Sequence, residues 1–302
     1  MKLTTTEHYM ELNQSEWVTQ SYAKINLGLQ VLRKLPTGYH EIKTGFCFIE
    51  WSDRFSVKKA NQLLLNMSDE SIPTDDRNLI IKAIKHLQNY VHFQGHHLIK
   101  VDKKIPAGAG LGGGSSNAAT IIRMINKIEQ LGLSDADLAD LCAGIGADVP
   151  LFLKGKPGIA SGIGTTIKHL DIQPDCWILT VFPDILSSTA EAYGYCVPDE
   201  NPQFDLEDIL VNEDLEEWKY LLQNDLETSV VQRHPLVGDL RDQLYEFGAT
   251  YAAMSGSGSA VFGLFEQEFL AAESYNTLLD LGFKVNLTPP NFKPDFMVYE
   301  KG

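Results

Sequence analysis

The sequence predicts an α+β fold divided into two domains. Its 302 residues can form two cores of moderate size, and the hydrophobic content of 44% is ordinary for a globular protein. Strand and helix patterns surround a glycine-rich loop in the first half, and the composition changes from Thr165 onward. We therefore predict an N-terminal extension over residues 1–17, a first domain over residues 18–165 and a second domain over residues 166–302.

Composition and charge exclude several classes of function. A net charge of −15 argues against non-specific binding to nucleic acid or to an anionic membrane. No apolar run approaches the ~20 residues needed to span a bilayer, and residues 1–17 lack the apolar core of a secretory signal. The cysteines, which form no Cys-x-x-Cys pair, are Cys47, Cys142, Cys176 and Cys196. We expect free thiols, no zinc site, no nucleic-acid or membrane partner, and a cytoplasmic location.

The densest motif is the glycine-rich run over residues 106–120, Pro-Ala-Gly-Ala-Gly-Leu-Gly-Gly-Gly-Ser-Ser-Asn-Ala-Ala-Thr. Glycines leave backbone N–H groups unshielded and permit positive φ, so that the chain can wrap closely around an anion. Apolar residues then recur at helical spacing as far as Ile128, which predicts a helix capped by Ser115 or Ser116. The dipole of that helix points into the loop. The run therefore predicts a phosphate-binding site.

Two other phosphate-binding motifs differ from this loop. A Walker loop requires a Lys after its glycines, and none follows here. Residues 108–113 fit the Gly-x-Gly-x-x-Gly pattern between a strand predicted at residues 97–101 and a helix, as in dinucleotide sites. No strand ending in Asp or Glu follows about 20 residues later, where a ribose partner belongs; residues 129–132 instead end the helix. A dinucleotide oxidoreductase is therefore the least favoured alternative.

Strand patterns place the polar motifs that precede the loop. Alternating apolar residues over positions 17–32 predict a first strand, which puts Lys24 and Asn26 together on its opposite face. A turn at residues 36–38 then leads into a second strand over residues 39–49. The two strands therefore bring a Lys-Asn pair and a Tyr-His pair into the first domain.

Helix signals bracket the rest of the first domain. Asp75 or Asp76 is expected to cap a helix over residues 78–90. Ser134 is expected to begin another helix, with Asp137 completing a capping box, and this helix is expected to end near Gly144. The histidines expected at the surface are His86, His92, His96 and His97.

The second half is predicted to alternate strands and helices. Predicted strands lie at residues 177–182, on both sides of residues 255–259, and at residues 283–287 and 296–299. Predicted helices lie within residues 204–226 and at residues 236–247 and 269–281. A serine-glycine loop between apolar strands therefore forms part of an α+β unit.

Asp148 lies in an apolar segment flanked by glycine, residues 146–153. A carboxylate is costly to bury unless it is paired, so this segment implies a partner for Asp148. An Asp that only caps a helix is the alternative interpretation.

Three separated stretches resemble the GHMP kinases, the superfamily of galactokinase, homoserine kinase, mevalonate kinase and phosphomevalonate kinase. They are residues 23–27 with 38–41, the glycine-rich loop with residues 146–150, and residues 254–258. Gly-Tyr-His-Glu and Gly-Ala-Asp-Val-Pro narrow the resemblance to members that act on a diphosphocytidyl alcohol. The resemblance implies a two-domain GHMP kinase fold, with an N-terminal half like ribosomal protein S5 domain 2 and a ferredoxin-like C-terminal half.

The resemblance also implies a role for each site residue. Lys24 and Asp148 would be catalytic, and Lys24 would be the partner that the Asp148 carboxylate requires. Lys24 would orient Asp148 and offset phosphate charge, and Asp148 would accept the proton of the substrate hydroxyl or only position that hydroxyl. Residues implied to bind ATP are Asn78, Lys103, Pro106, Gly108, Gly110, Leu111, Gly112, Gly113, Gly114, Ser115 and Ser116. Asn78 and Lys103 would lie near the adenine, although Asn78 is equally consistent with a helix-start residue that satisfies backbone groups. Residues implied to bind the substrate are Asn26, Tyr39, His40, Asp148, Ser257 and Gly258. Tyr39 would stack on the cytosine base, and His40 would hydrogen-bond to it.

We therefore expect ATP-dependent phosphoryl transfer to an alcohol of a small diphosphocytidyl metabolite, with ATP and Mg²⁺ as cofactors and no metal ligand assigned. One alternative is another GHMP kinase, acting on homoserine, a sugar or mevalonate. Another is a nucleotide-binding protein without catalysis, which the presence of both Lys24 and Asp148 disfavours.

Overall fold

The computed structural model describes residues 15–301, and residues 1–14 of the predicted extension lie outside this range. Glu16 and Trp17, which we placed in the extension, are the first two residues of a strand. Within the described range, no helix is long and apolar enough to cross a membrane.

Strands and helices of residues 15–301 form a mixed fold, which confirms the α+β class. The strands are β1 (Glu16–Lys34), β2 (His40–Ala60), β3 (Leu64–Met67), β4 (His96–Asp102), β5 (Gly158–Gly162), β6 (Thr166–His169), β7 (Trp177–Phe182), β8 (Tyr251–Met254), β9 (Val261–Phe265), β10 (Lys284–Thr288) and β11 (Tyr299–Lys301). The helices are α1 (Leu79–Val91), α2 (Gly113–Ile128), α3 (Asp135–Ala143), α4 (Thr189–Gly194), α5 (Leu206–Asn212), α6 (Trp218–Leu221), α7 (Glu227–Arg233), α8 (Pro235–Glu246) and α9 (Glu268–Asp280). Two 3₁₀ turns lie at Val149–Phe152 and Leu215–Glu217.

The strands form two sheets. In the first sheet the order is β11-β1-β2-β4-β3, and β5 and β6 extend it from β2. The second sheet has the order β10-β7-β9-β8, with every neighbouring pair antiparallel. Each sheet carries helices, so the chain has the two layered units that the sequence predicts.

Strand β1 buries side chains on both of its faces, because successive side chains of a strand point in opposite directions. Tyr22 belongs to the core that the first sheet forms with α1 and α2. Ile25 and Leu27 belong to a second core, which they share with Phe262 and Leu264 of β9. The first sheet is therefore covered by its own helices on one face and by the second sheet on the other.

The C-terminal strand does not lie where the sequence suggested. We predicted a strand at residues 296–299 within the second half, but the strand is β11, and it pairs with β1 at the edge of the first sheet. The reason is aromatic packing: the ring of Phe296 lies 5.6 Å from that of Tyr22 and 6.0 Å from that of Phe48. Strand β6 also joins the first sheet, beyond residue 165. The exact domain boundaries stay a prediction.

Two local predictions in the first domain were wrong. Asn78, not Asp75 or Asp76, caps α1, because its side chain accepts a hydrogen bond from the backbone of Ile80. His97 is fully buried rather than at the surface. Strand β4 turns it inward, where its Nε2 lies 2.9 Å from the Glu129 carboxylate at the end of α2. By contrast, the capping box that begins α3 at Ser134 is confirmed.

Candidate active site

A cleft of about 780 Å³ lies between the glycine-rich loop, the start of β2 and the loop between β8 and β9. Predicted site residues that line it are Lys24, Asn26, Tyr39, His40, Pro106, Gly108, Gly110, Leu111, Gly112, Gly113, Gly114, Ser115, Asp148 and Ser257. Those that do not line it are Asn78, Lys103, Ser116 and Gly258. Most of the predicted residues therefore meet in one cavity, although they are far apart in the chain.

The glycine-rich loop has the backbone that its composition predicts. Gly108, Gly110 and Gly112 have φ values of 69°, 83° and 68°, in the left-handed region that favours glycine. Gly112 precedes α2 and supplies no side-chain cap, so the predicted cap by Ser115 or Ser116 is absent. The first N–H groups of a helix have no partner within that helix. They are therefore available to an anion in the cleft.

The two serines of the loop differ in direction. Ser115 lines the cleft. Ser116 is fully buried, its hydroxyl donates to the carbonyl of Tyr22 at 2.6 Å, and it lies 2.7 Å from the Ser21 hydroxyl. Ser116 therefore fastens α2 to β1, and of the two serines only Ser115 lines the cleft.

Lys24 is held against the loop by β1. Its side chain is buried, and its ammonium donates to the Asn26 side chain and, at 3.0 Å, to the carbonyl of Gly110. The shared face of Lys24 and Asn26 is thus confirmed. Burial lowers the pKa of Lys24, and the charge of Asp148 opposes that change.

Asp148 differs from its prediction in two respects. Its carboxylate is only half-buried at the wall of the cleft, and among the described residues no ion pair joins it to Lys24, whose ammonium donates to Asn26 and to the Gly110 carbonyl instead. Solvent can stabilise the charge there, so an ion pair is not required. Asp148 stands directly before the 3₁₀ turn at Val149–Phe152, yet its side chain makes no capping hydrogen bond. The interpretation of Asp148 as a helix cap is therefore wrong.

Arg123 supports the segment that carries Asp148, a role that no pattern near it in the sequence indicates. Its guanidinium, which is buried in α2, donates to the carbonyl of Phe152 and to the Thr120 hydroxyl. The Phe296 ring lies beneath it at 4.2 Å. Burial lowers the pKa of Arg123 to about 10. Helix α2 and the Asp148 segment are thus joined directly.

The far end of the cleft is aromatic and basic. The rings of His40 and Tyr193 stack with centroids 5.0 Å apart and planes 25° apart, whereas Tyr39 is 62% exposed. Lys34 lies opposite His40 in the β1–β2 register and also lines the cleft. Burial and the Lys34 charge both lower the pKa of His40, so its ring is neutral near pH 7. Sequence reasoning missed Tyr193 and Lys34, since only the fold brings α4 to this end.

Asn78 and Lys103 face away from the cleft. The Asn78 amide caps α1 and donates to the carbonyl of Pro73 at 2.7 Å, although the neighbouring Leu79 does line the cleft. The ammonium of Lys103 lies 2.8 Å from the carboxylate of Asp53. A contact between either side chain and the adenine stays a prediction.

The loop between β8 and β9 touches the glycine-rich loop. The Ser255 hydroxyl donates to the carbonyl of Gly110 at 3.1 Å, and the N–H of Ala260 donates to the carbonyl of Ala109 at 3.0 Å. A Cβ on Gly258 would lie 2.1 Å from the backbone of both Ala109 and Gly110. Gly258 therefore acts through close packing of two backbones, while Ser257 faces the cleft.

Family models match both halves of the chain. The model for the GHMP kinases N terminal domain matches residues 78–156, and that for the GHMP kinases C terminal matches residues 206–280. The chain belongs to the GHMP kinase family. The first match covers the glycine-rich loop and the Asp148 segment of this GHMP kinase, and the second covers the loop between β8 and β9. The resemblance inferred from three sequence stretches is confirmed.

Relatives align over most of this GHMP kinase. The 4-diphosphocytidyl-2-C-methyl-D-erythritol kinase of Chlorobium phaeobacteroides (strain BS1) is 40% identical over 279 residues, which are 90% of this chain and 97% of the relative. The enzyme of the same name from Parabacteroides distasonis is 40% identical over 251 residues, with 81% and 90% covered.

Solved structures agree with the fold. The crystal structure of a 4-(cytidine 5'-diphospho)-2C-methyl-D-erythritol kinase matches with a TM-score of 0.76 and 30% identity, over 90% of this chain and 98% of the other. A homoserine kinase from Cytophaga hutchinsonii matches with a TM-score of 0.70 over 97% of this chain and 99% of the other. Its identity is 15%, so that likeness shows the fold alone.

Proposed function

We propose that this GHMP kinase transfers the γ-phosphate of ATP to the 2-hydroxyl of 4-diphosphocytidyl-2-C-methyl-D-erythritol, in the non-mevalonate route to isoprenoid precursors. The observation that carries the proposal is a single cleft with the glycine-rich loop at one end and the His40–Tyr193 ring pair at the other. Such a cleft suits two ligands, one rich in phosphate and one that carries a nucleobase. The names of the relatives support the same substrate.

The loop end of the cleft would hold the nucleotide phosphates. Unpartnered N–H groups at the start of α2, the helix dipole and the Ser115 hydroxyl all favour an anion there. Magnesium fits the same place, because Ser115 at the cleft wall offers a hydroxyl oxygen as a ligand and the bound phosphates would offer further oxygens. When bound, it would neutralise charge on the phosphates. No group of three or more potential metal ligands occurs in residues 15–301, so phosphate oxygens and water would complete its coordination.

Asp148 and Lys24 would act on the reacting groups. The substrate hydroxyl oxygen attacks the γ-phosphorus, the bond from that phosphorus to ADP breaks, and the hydroxyl proton passes to Asp148. Lys24 lines the same cleft and holds positive charge beside the Gly110 carbonyl of the glycine-rich loop, where it would offset the negative charge of the transferred phosphate. The half-exposed carboxylate and the buried ammonium would thus act on the same reacting groups.

The aromatic end would select the substrate. A cytosine base can stack on the His40–Tyr193 pair, and the neutral His40 ring can both donate and accept a hydrogen bond. Lys34 would stand beside the diphosphate of the substrate, in a chain whose net charge is otherwise −15. Homoserine and mevalonate carry no base for this end, which favours the diphosphocytidyl substrate over theirs.

The test is an assay of ADP release with purified protein, ATP and Mg²⁺. Four acceptors are compared: 4-diphosphocytidyl-2-C-methyl-D-erythritol, homoserine, mevalonate and galactose. We expect release to depend on the cytidyl substrate alone. If another acceptor gave equal or greater ADP release, that acceptor would replace the cytidyl compound as the assigned substrate. If the protein bound ATP but released no ADP with any acceptor, a non-catalytic nucleotide-binding protein would be favoured.

We also expect turnover to fall at alkaline pH as Lys24 loses its proton. Burial lowers the pKa of this ammonium from 10.5, so the protonated, active form is lost as the pH rises through a value below 10.5. The measurement is kcat across the alkaline range for wild type and for Lys24→Arg, whose guanidinium remains protonated there. The variant is expected to be slower but to lack this decline. A decline that persists unchanged in Lys24→Arg would assign the titration to another group.

A further inference from the structure

A fully buried carboxylate, that of Asp53 on β2, lies behind the glycine-rich loop. It accepts four hydrogen bonds. One oxygen accepts from the N–H groups of Lys104 at 2.7 Å and Ile105 at 2.8 Å. The other accepts from the Lys103 ammonium and from the Asn117 amide, both at 2.8 Å. All four donors belong to the segments that flank the loop.

These donors lie on both sides of the phosphate-binding glycines. Residues 103–105 directly precede the glycines of the loop. Asn117 follows these glycines in the chain and lies in the first turns of α2. The Asn117 amide also donates to the Ser21 hydroxyl at 3.0 Å, so the same network reaches β1 near Lys24. One carboxylate on the sheet thus holds the entry and the exit of the loop at a fixed separation.

The ion pair between Lys103 and Asp53 lies directly against the start of α2. A Cβ added to Gly113 would lie 3.2 Å from the Lys103 ammonium and 2.9 Å from the Ile105 side chain. The Lys103 ammonium also donates to the carbonyl of Ile105. Any movement of this network therefore displaces the N–H groups that we assign to the nucleotide phosphates.

A role in stability alone does not explain this arrangement. The Lys103 side chain is 5% exposed and that of Asp53 is 0% exposed, so both charges have lost their hydration. Buried ion pairs of this kind are often no more stabilising than apolar residues of similar volume. Three glycines of the loop have positive φ, and glycine gives the backbone more conformational freedom than any other residue. Such a loop presents its N–H groups in one geometry only if the segments at its two ends are held in place.

We propose that Asp53 is a positioning residue for the phosphate loop. Its carboxylate fixes both ends of the loop so that the N–H groups of residues 113–115 converge on the nucleotide phosphates. The proposal rests on the ATP-binding function proposed above and adds to it a residue outside the cleft. Lys103, which the family resemblance places near the adenine, acts in this network as a partner of Asp53.

The test uses the full chain and compares the affinity of ATP with that of adenosine, which lacks phosphates. Asp53→Asn keeps the shape of the side chain. Each Asp53 oxygen accepts from two donors, so in either orientation of the amide its NH₂ group faces two of these donors and two hydrogen bonds are lost. We expect the affinity for ATP to fall by about tenfold to a hundredfold, while that for adenosine and the KM for the diphosphocytidyl substrate stay within about twofold. A purely structural lesion lowers the folded fraction and affects all ligands alike.

Two further variants complete the design. Asp102→Asn removes an exposed ion pair with Lys104 in the same segment and is the matched control, with no expected change in affinity. The double variant Asp53→Leu/Lys103→Met replaces the buried ion pair by apolar side chains, and we expect it to fold yet lose affinity for ATP selectively. It provides the measurement if Asp53→Asn is unfolded.

The possible outcomes separate this proposal from the proposed function. Suppose that wild type binds ATP. If a folded Asp53 variant then binds ATP equally well, or loses affinity for ATP and adenosine in parallel, Asp53 does not position the loop. The proposed kinase function would still stand in that case. If wild type binds no ATP, the proposed function fails and the role of Asp53 fails with it.

Discussion

Asp148→Asn is expected to lower kcat by about 10²- to 10⁴-fold, the contribution typical of general base catalysis. Asn has nearly the same shape as Asp, but its amide cannot take up the proton that leaves the substrate hydroxyl. The side chain makes no capping hydrogen bond in the 3₁₀ turn that follows it, so the substitution leaves that turn intact. ATP affinity is expected to stay within about threefold, because the loop end of the cleft is unchanged. Single-turnover kinetics and equilibrium nucleotide binding measure the two effects separately.

The control for this prediction is Asp140→Asn, which changes an exposed carboxylate on α3. It should have the kinetics of wild type. If Asp148→Asn turned over at a rate close to that of wild type, Asp148 would be removed from the mechanism. A loss of ATP affinity equal to the loss in kcat would instead make it a binding residue.

Gly258→Ala is expected to separate the two loops that close the cleft. The added Cβ would lie 2.1 Å from the backbone of Ala109 and Gly110, a distance that no flexible side chain can relieve. Overpacking of this kind costs about 1–3 kcal/mol of stability. The resulting shift of the glycine-rich loop moves the reacting groups apart, and a displacement near 1 Å can cost about 100-fold in rate. Chemical denaturation and kcat/KM together measure both effects.

The stability control is Gly114→Ala. Gly114 lies within α2, and its added Cβ would make only an ordinary contact with Leu79 at 3.5 Å. Alanine has a higher helix propensity than glycine, so the free energy of unfolding should be unchanged or higher. Wild-type stability and kcat/KM in Gly258→Ala would show that the two backbones do not pack as closely as described.

Local pattern was sufficient to predict the parts of the fold that depend on neighbouring residues. The glycine-rich loop, the shared face of Lys24 and Asn26, and the strands on both sides of Ser257 follow from spacing and composition. Strand β7 begins and ends at the predicted residues, Trp177 and Phe182. Each of these features depends on backbone preference and on which face of an element is apolar, and both are visible in a short window of sequence.

Long-range contacts explain the features that were missed. His97 appeared to be a surface residue because nothing near it in sequence indicates the Glu129 carboxylate that it meets. The pairing of β11 with β1 depends on aromatic contacts between residues more than 240 positions apart. The four partners of Asp53 also come from segments at least 50 residues away.

Family resemblance brought Lys24 and Asp148 to one site, but it did not predict their geometry. Instead of the expected pairing with Asp148, the Lys24 ammonium contacts Asn26 and Gly110, and both Lys24 and Asp148 line the cleft. The two charged groups therefore both remain available to a transferred phosphate and an acceptor hydroxyl. The departure from the predicted pair therefore agrees with the proposed chemistry.

The most direct test of the central claim is identification of the product by ³¹P NMR and mass spectrometry. Protein, ATP, Mg²⁺ and 4-diphosphocytidyl-2-C-methyl-D-erythritol are incubated together and the product is isolated. We expect one new phosphomonoester on the 2-hydroxyl, with the diphosphate bridge intact and one ADP formed per product. A cleaved diphosphate, phosphate on another hydroxyl, or ADP formed without a phosphorylated acceptor would contradict it.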